Sequence, residues 1–388
     1  MISNEKSVEV SLVRCNSYEE AEVSAALDAV LAPIGGLTWV QPGMRIAIKV
    51  NLVAPMKPDT AAAVHPAVVA SLVRKLTDCG AEVIVGDSPG GIYNSAYVNR
   101  VYHMTGMQAV EAAGGSLNQD FSESDKEVPQ PLTARQIHYT AWLDQADAVI
   151  DLCKLKTHAM MGMTAAAKNM FGVIPGTYKP EYHCRYSDPI DFAKMLLDLN
   201  RSFPIRLCLA DAVWGMEGNG PTAGKPRHIG CLVASADPHK LDLICAKLIG
   251  LTPRQVPTLA VAQQEHLIPE NASEIVTNTP IDDFCVPDFK TMLGAGEIPT
   301  QGGAALWGKA ADRFLQLTMS PKPKVTPATC IGCGKCAEVC PAKAIQMENR
   351  LPHINRKVCI RCFCCQEFCP KGSMHLHRPP LARLVGKL

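Results

Sequence analysis

Arg45-Ile46-Ala47-Ile48-Lys49-Val50 is followed by Pro66-Ala67-Val68-Val69-Ala70-Ser71-Leu72-Val73-Arg74-Lys75-Leu76-Thr77-Asp78-Cys79-Gly80, and then by Ala81-Glu82-Val83-Ile84-Val85. The outer runs are short and rich in Val and Ile, as strands are. The middle run begins at a proline and stops at a glycine. Its apolar residues Val68, Val69, Leu72, Val73 and Leu76 recur at the spacing of a helix with one buried face. Strand, helix, strand makes a βαβ unit. Similar strand-like runs at 8–13, 148–152, 206–210 and 229–234, with helical stretches at 188–202 and 237–251, continue the alternation. Each of those two helices is expected to start at an Asp cap followed by a proline. The fold class is therefore α/β, a mainly parallel sheet with helices on both faces. In such sheets ligands bind beyond the carboxyl ends of the strands.

At 388 residues the chain has room for a large domain and a small one. A net charge of +1 with 19% charged residues argues against a nucleic-acid partner or an anionic membrane surface. No apolar stretch approaches the roughly 20 residues of a spanning helix, so a cytoplasmic protein is expected. The boundaries read as an α/β domain over 1–319, a Pro-rich linker over 320–327, a small module over 328–378 and a tail over 379–388. Three prolines at 321, 323 and 327 favour an extended spacer over any packed element.

The small module is decided by cysteines. Of the seventeen in the chain, nine lie between Cys330 and Cys369. Cys330-x2-Cys333-x2-Cys336-x3-Cys340-Pro341 and Cys359-x2-Cys362-x2-Cys365-x3-Cys369-Pro370 are both the spacing of a bacterial two-cluster module, in which the fourth cysteine of each run crosses to the other cluster. Two [4Fe-4S] clusters are expected in a small α+β ferredoxin-like domain. Cys330, Cys333, Cys336 and Cys369 would hold one, and Cys359, Cys362, Cys365 and Cys340 the other. Zinc fits this order poorly. Cys364 is surplus and reads as a small apolar filler. Gly332 and Gly334 let backbone N–H groups approach the sulfurs, whereas Arg361, Phe363 and Cys364 occupy that stretch of the second loop, so the two clusters are expected to differ in potential. From 325 onward ten Lys or Arg face three Asp or Glu. Two clusters at about −2 each offset roughly half of that excess.

In the large domain, polar residues fall where the chain leaves expected strands: Lys49 and Asn51, Asp87 and Ser88, Lys154, Lys156 and His158, and Asp211. Alternation puts Lys49 on the face opposite Ile46, Ile48 and Val50, where a charge needs a partner. Lysines gathered at one edge raise one another's cost of ionisation and call for an anion. Lys168-Asn169 precede a turn containing Gly172, Pro175 and Gly176. Glu217 and Asn219 lie in a glycine-rich stretch over 215–224 suited to cradling a ligand or phosphate.

The segments 48–52, 86–91, 154–158, 168–176 and 215–221 together resemble the domain of unknown function 362 family, over roughly 45–251. The resemblance implies fusion to just such a cluster pair and a fold distantly similar to lactate racemase. On these readings the chain is an iron-sulfur oxidoreductase of anaerobic metabolism. Its anionic small molecule or unidentified organic redox cofactor would bind at the lysine-lined edge. His158, Lys154 and Lys156 are the expected catalytic residues, with His158 or a nearby carboxylate moving the proton. Lys49, Asn51, Asp87, Ser88, Lys168, Asn169, Asp211, Glu217 and Asn219 are the expected binding residues, and a ferredoxin or flavodoxin is the expected electron partner. A ferredoxin-type carrier or an iron-sulfur assembly protein is the alternative.

Overall fold

The structure, a computed structural model, describes residues 7–292 and 321–377. The large domain is built on β1 (Val10–Arg14), β2 (Arg45–Val50), β3 (Glu82–Gly86), β4 (Ser116–Leu117), a separate hairpin of β5 (Glu123–Glu127) and β6 (Gln136–Thr140), β7 (Ala148–His158), β8 (Gly162–Thr164), β9 (Ile205–Glu217) and β10 (Lys225–Ser235). The main sheet runs β1-β10-β9-β7-β2-β3-β4, with β8 hooked onto the end of β7. From β9 to β4 every pairing is parallel. β10 and β1 extend that sheet in antiparallel fashion.

Two apolar cores sandwich the sheet. On one face α1 (Glu20–Leu31), α2 (Pro66–Asp78), α3 (Ser95–Thr105) and α4 (Ala109–Ala112) cover Ile46, Ile48, Val50, Ile150 and Leu152. The other face lies under α5 (Ala166–Asn169), α6 (Lys179–Arg185), α7 (Pro189–Arg201), α8 (Pro238–Leu248) and α9 (Pro257–Gln264), packed around Val149, Cys153 and Leu155. Covered on both sides, β7 is buried along its whole length. The Asp caps work as expected: Asp188 accepts from Ile190 and Asp191 N–H, and Asp237 from His239 and Lys240 N–H.

The module comprises β11 (Lys322–Val325), α10 (Lys335–Glu338), β12 (Ile345–Glu348), β13 (Leu351–Ile354), α11 (Cys364–Glu367) and β14 (Met374–His377). Here the expectation of a spacer is corrected. Lys322–Val325 pairs antiparallel with Met374–His377, so the prolines mark an edge strand of the module. Pro323 can sit there because its partner strand closes only one side. The tail expected over 379–388 lies outside the described residues.

The module is docked, not merely tethered. Gln366 Nε2 donates to Asn219 Oδ1 at 2.6 Å and to Gly220 O at 2.9 Å, Thr222 Oγ1 donates to Glu367 O at 2.9 Å, and Asn219 Nδ2 donates to Met374 O at 3.2 Å. Phe363 is buried within the core of the large domain. The Phe368 ring lies against Gly90, where an added Cβ would come within 2.8 Å of it. The glycine-rich stretch read as a ligand cradle is thus, at Asn219 to Thr222, the dock for the module.

Candidate functional site

Two cavities in the module are ringed by sulfur. Cys330, Cys333, Cys336 and Cys369 line one, and Cys340, Cys359, Cys362, Cys365 and Cys364 line the other. This is the crossed pattern of the two motifs. Among the described residues no three His, Cys, Asp or Glu gather tightly enough for a single metal ion, whereas each ring surrounds space of its own, as a cube of iron and sulfur requires. The loops share one backbone conformation. Gly332 (φ +68) and Gly334 (φ +75) adopt the left-handed region in the first, and Arg361 (φ +61) and Phe363 (φ +62) do so in the second. At Gly332 a side chain would also meet Arg350 at 2.8 Å. The surplus Cys364 is buried beside Cys362, as a filler would be.

A cleft opens where β2, β3 and β7 end, and the module closes one wall. Asn51, Asp87, Ser88, Lys156, His158, Lys168 and Asn169 of the expected site line it. Lys179, Phe171, Thr164 and Pro221 line it too, as does Glu367 from α11, between two cluster cysteines. Neither Lys179 nor Glu367 was legible in the sequence, because only the docking of α6 and α11 carries them to the strand ends.

The lysines divide by partner. Lys49 is fully buried and pairs with Asp87 at 3.0 Å, while also donating to Asn169 Oδ1 at 3.1 Å. Gly172 permits this, since a Cβ there would overlap both Lys49 Nζ and the Asp87 carboxylate. Lys154 pairs with Asp211 at 2.8 Å and donates to Tyr18 Oη at 2.8 Å. Tyr18 stacks on His65 at 3.6 Å, and His65 N–H donates to the same carboxylate. Lys154 and Asp211 therefore form a closed network and do not line the cleft. Glu217 and Asn219 do not line it either. Glu217 accepts from Lys290 N–H, and Asn219 holds the module.

Lys156 differs. Its buried ammonium donates to Asn51 Oδ1 and Ala62 O, each at 2.6 Å, and finds no carboxylate at ion-pair distance among the described residues. Burial brings its pKa down to about 7; Lys168 and Lys154 push the same way, with Glu367 and Asp87 opposing. Lys179, which donates to Ser88 O, is brought down to about 8, chiefly by burial. Burial lowers Lys168 as well, against the pull of Glu367. Asn51 relays Lys156 to Asn169, whose amide reaches Asp151 Oδ1 at 2.5 Å. Burial raises Asp151 to about 7.

His158 has a fixed role. Its Nδ1 accepts N–H from Met160 and Met161, both at 3.2 Å, which places the ring proton on Nε2. Burial, then the fields of Lys168, His183 and Lys156, hold it well below its ordinary pKa. The ring is a neutral donor whose basic nitrogen is occupied. It does not suit the proton-moving role expected for it.

Fold and site together define an α/β protein carrying an iron-sulfur module of ferredoxin type, with the electron-carrying role that such a module brings. A family described as a 4Fe-4S dicluster domain matches residues 322–370, and the domain of unknown function DUF362 matches residues 46–247. The chain belongs to the DUF362 family. It is 33% identical over 271 residues to the thylakoid-associated protein sll1697 of Synechocystis, covering 68% of this chain and 81% of that one. Among solved structures, the lactate racemase apoprotein of Thermoanaerobacterium thermosaccharolyticum aligns with a TM-score of 0.37 and 12% identity, over 61% of this chain and 56% of that one. Among the described residues no helix is long and apolar enough to cross a membrane.

Proposed function

We propose that the protein is a cytoplasmic iron-sulfur oxidoreductase of anaerobic metabolism, whose reacting partner is an anionic small molecule or organic cofactor bound in the cleft. The observation that carries this reading is Glu367, which lies in sequence between cluster cysteines Cys365 and Cys369 and also lines the cleft together with Lys156 and Lys168. Cys330, Cys333, Cys336 and Cys369 hold one [4Fe-4S] cluster, and Cys340, Cys359, Cys362 and Cys365 hold the other. When bound, the clusters supply or accept single electrons, exchanged with an external ferredoxin or flavodoxin on one side and with the cleft on the other.

The residues of the chain do the rest. Lys168 and Lys179 offset negative charge on the ligand. His158 Nε2–H donates a hydrogen bond to it. Lys156 Nζ, poised near neutrality, gives one proton for each electron the ligand gains and regains it from solvent through the cleft mouth. On oxidation of the ligand the same group takes the proton up.

Protein isolated without oxygen and reduced with dithionite provides the test. Adding back the small-molecule fraction released by acid from a portion kept unreduced and freed of dithionite should restore the oxidised visible spectrum, and Lys156→Met should slow that step at least tenfold. Equal reoxidation rates in both proteins would sink the reading. So would transfer of iron to an apo-ferredoxin in place of reoxidation, the outcome an assembly protein predicts.

A further inference from the structure

The charges of the cleft do not balance. Four ammonium groups, Lys49, Lys156, Lys168 and Lys179, meet the carboxylates of Asp87 and Glu367. Lys49 and Asp87 cancel. Glu367 answers only one of the other three. Lys168 leans over the Phe171 ring at 5.5 Å with no carboxylate at ion-pair distance among the described residues. Lys156 and Lys179 are satisfied by neutral oxygens alone. The His158 Nε2 donor is 2% exposed and meets no acceptor, the nearest carboxylate oxygen, Glu367 Oε2, standing 3.9 Å away. Buried donors without acceptors and buried cations without anions are costly, so a fold that keeps both is built around something absent from its own chain. The enclosed space, about 50 Å³, has room for a compact polar ligand in place of a few waters.

We infer that this cleft is a dianion site, taking a small dicarboxylate or phosphoryl compound on Lys156, Lys168 and Lys179, with His158 Nε2–H as the neutral donor. This deepens the oxidoreductase reading and rests on the same cleft. A monoanion would leave one buried positive charge uncompensated, and an apolar ligand would leave two. Asp151 lies beneath, screened by Asn169, and its burial favours the neutral acid.

Titration calorimetry on the oxidised holoprotein at pH 7 tests the inference without any electron transfer, with malonate, inorganic phosphate and acetate as probes. At least one of the two dianions should bind about tenfold or more tighter than acetate. Malonate alone points to two separated carboxylates, and phosphate alone to one phosphoryl group. Lys168→Gln, with unchanged iron content and circular dichroism, should weaken the preferred dianion about tenfold and acetate far less. At pH 8 binding should take up protons, seen as a dependence of the heat on buffer ionisation, because an anion, acting with Asp87 and Glu367, restores charge to Lys156 against its burial and the fields of Lys168 and Lys154. Acetate binding as tightly as both dianions, or Lys168→Gln leaving the ratio unchanged, overturns the inference. Dianion binding in a protein that never reoxidises with ligand upholds the site while the oxidoreductase reading falls, so the two failures are separable.

Discussion

Lys154 and Lys156 are two residues apart on one strand, point to the same face and are both fully buried, yet their surroundings are opposite. Lys154 has Asp211 and Tyr18 and completes a network internal to the fold. Lys156 has an amide and a carbonyl, neither of which carries charge. Identical residues in one strand thus complete an internal ion pair in one case and, under the proposed function, face a ligand in the other. The number of carboxylates nearby separates them, not the burial.

The sharpest break of that comparison is Lys154→Met. Stripped of its partner, Asp211 becomes a buried uncompensated charge, and stability should drop by about 3–5 kcal/mol in chemical denaturation. Lys154→Met/Asp211→Asn should recover much of the loss, and malonate affinity per folded molecule should stay as it was. Lys156→Met should do the reverse. It orphans two neutral acceptors, so stability should move by under about 2 kcal/mol, while malonate affinity falls about 10–100-fold by calorimetry. If the two variants behaved alike, the distinction would be wrong.

Acidity sharpens it further. Burial lowers the pKa of Lys156 to about 7 and of Lys179 to about 8, so each is cationic below its value and neutral above it. Malonate affinity should therefore decline as pH rises from about 7 to 9, by up to about tenfold. Lys156→Met should lose the lower step and keep the upper. Smallest is the effect of Asn219→Ala, which removes two side-chain hydrogen bonds to the module at a combined cost of about 1 kcal/mol, while Gln366 keeps its bond to Gly220 O. Hydrogen exchange should quicken about fivefold around Thr222 and Gln366 and remain unaltered around Asp211.

Much of this was written locally in the chain. The helix expected over 66–79 is Pro66–Asp78, stopped by Gly80 at φ +83. The alternation that set Lys49 against Ile46, Ile48 and Val50 holds, because period-two patterning needs no knowledge of partners. What the sequence could not convey depends on pairing at long range. β9 and β10 run on to Glu217 and start at Lys225, well beyond their apolar cores, because each shields the other's polar end. Asn219 reads as a ligand residue until Gln366, far along the chain, is seen to claim it. His158 reads as an acid or base until two backbone N–H groups occupy its Nδ1. In each case the residue was found and its partner was not.

Phe363 has a consequence for how electrons travel. Carrier domains that swing between stations must let go of each in turn, and their contacts are correspondingly wet and weak. This ring is instead 3% exposed and embedded among the side chains of the larger body. Pulling it into water would cost about 1.5–3 kcal/mol before any polar link is counted. The arm is clamped, so under the proposed function any mobile courier would have to come from outside, and electrons passing between module and cleft would run over a fixed path.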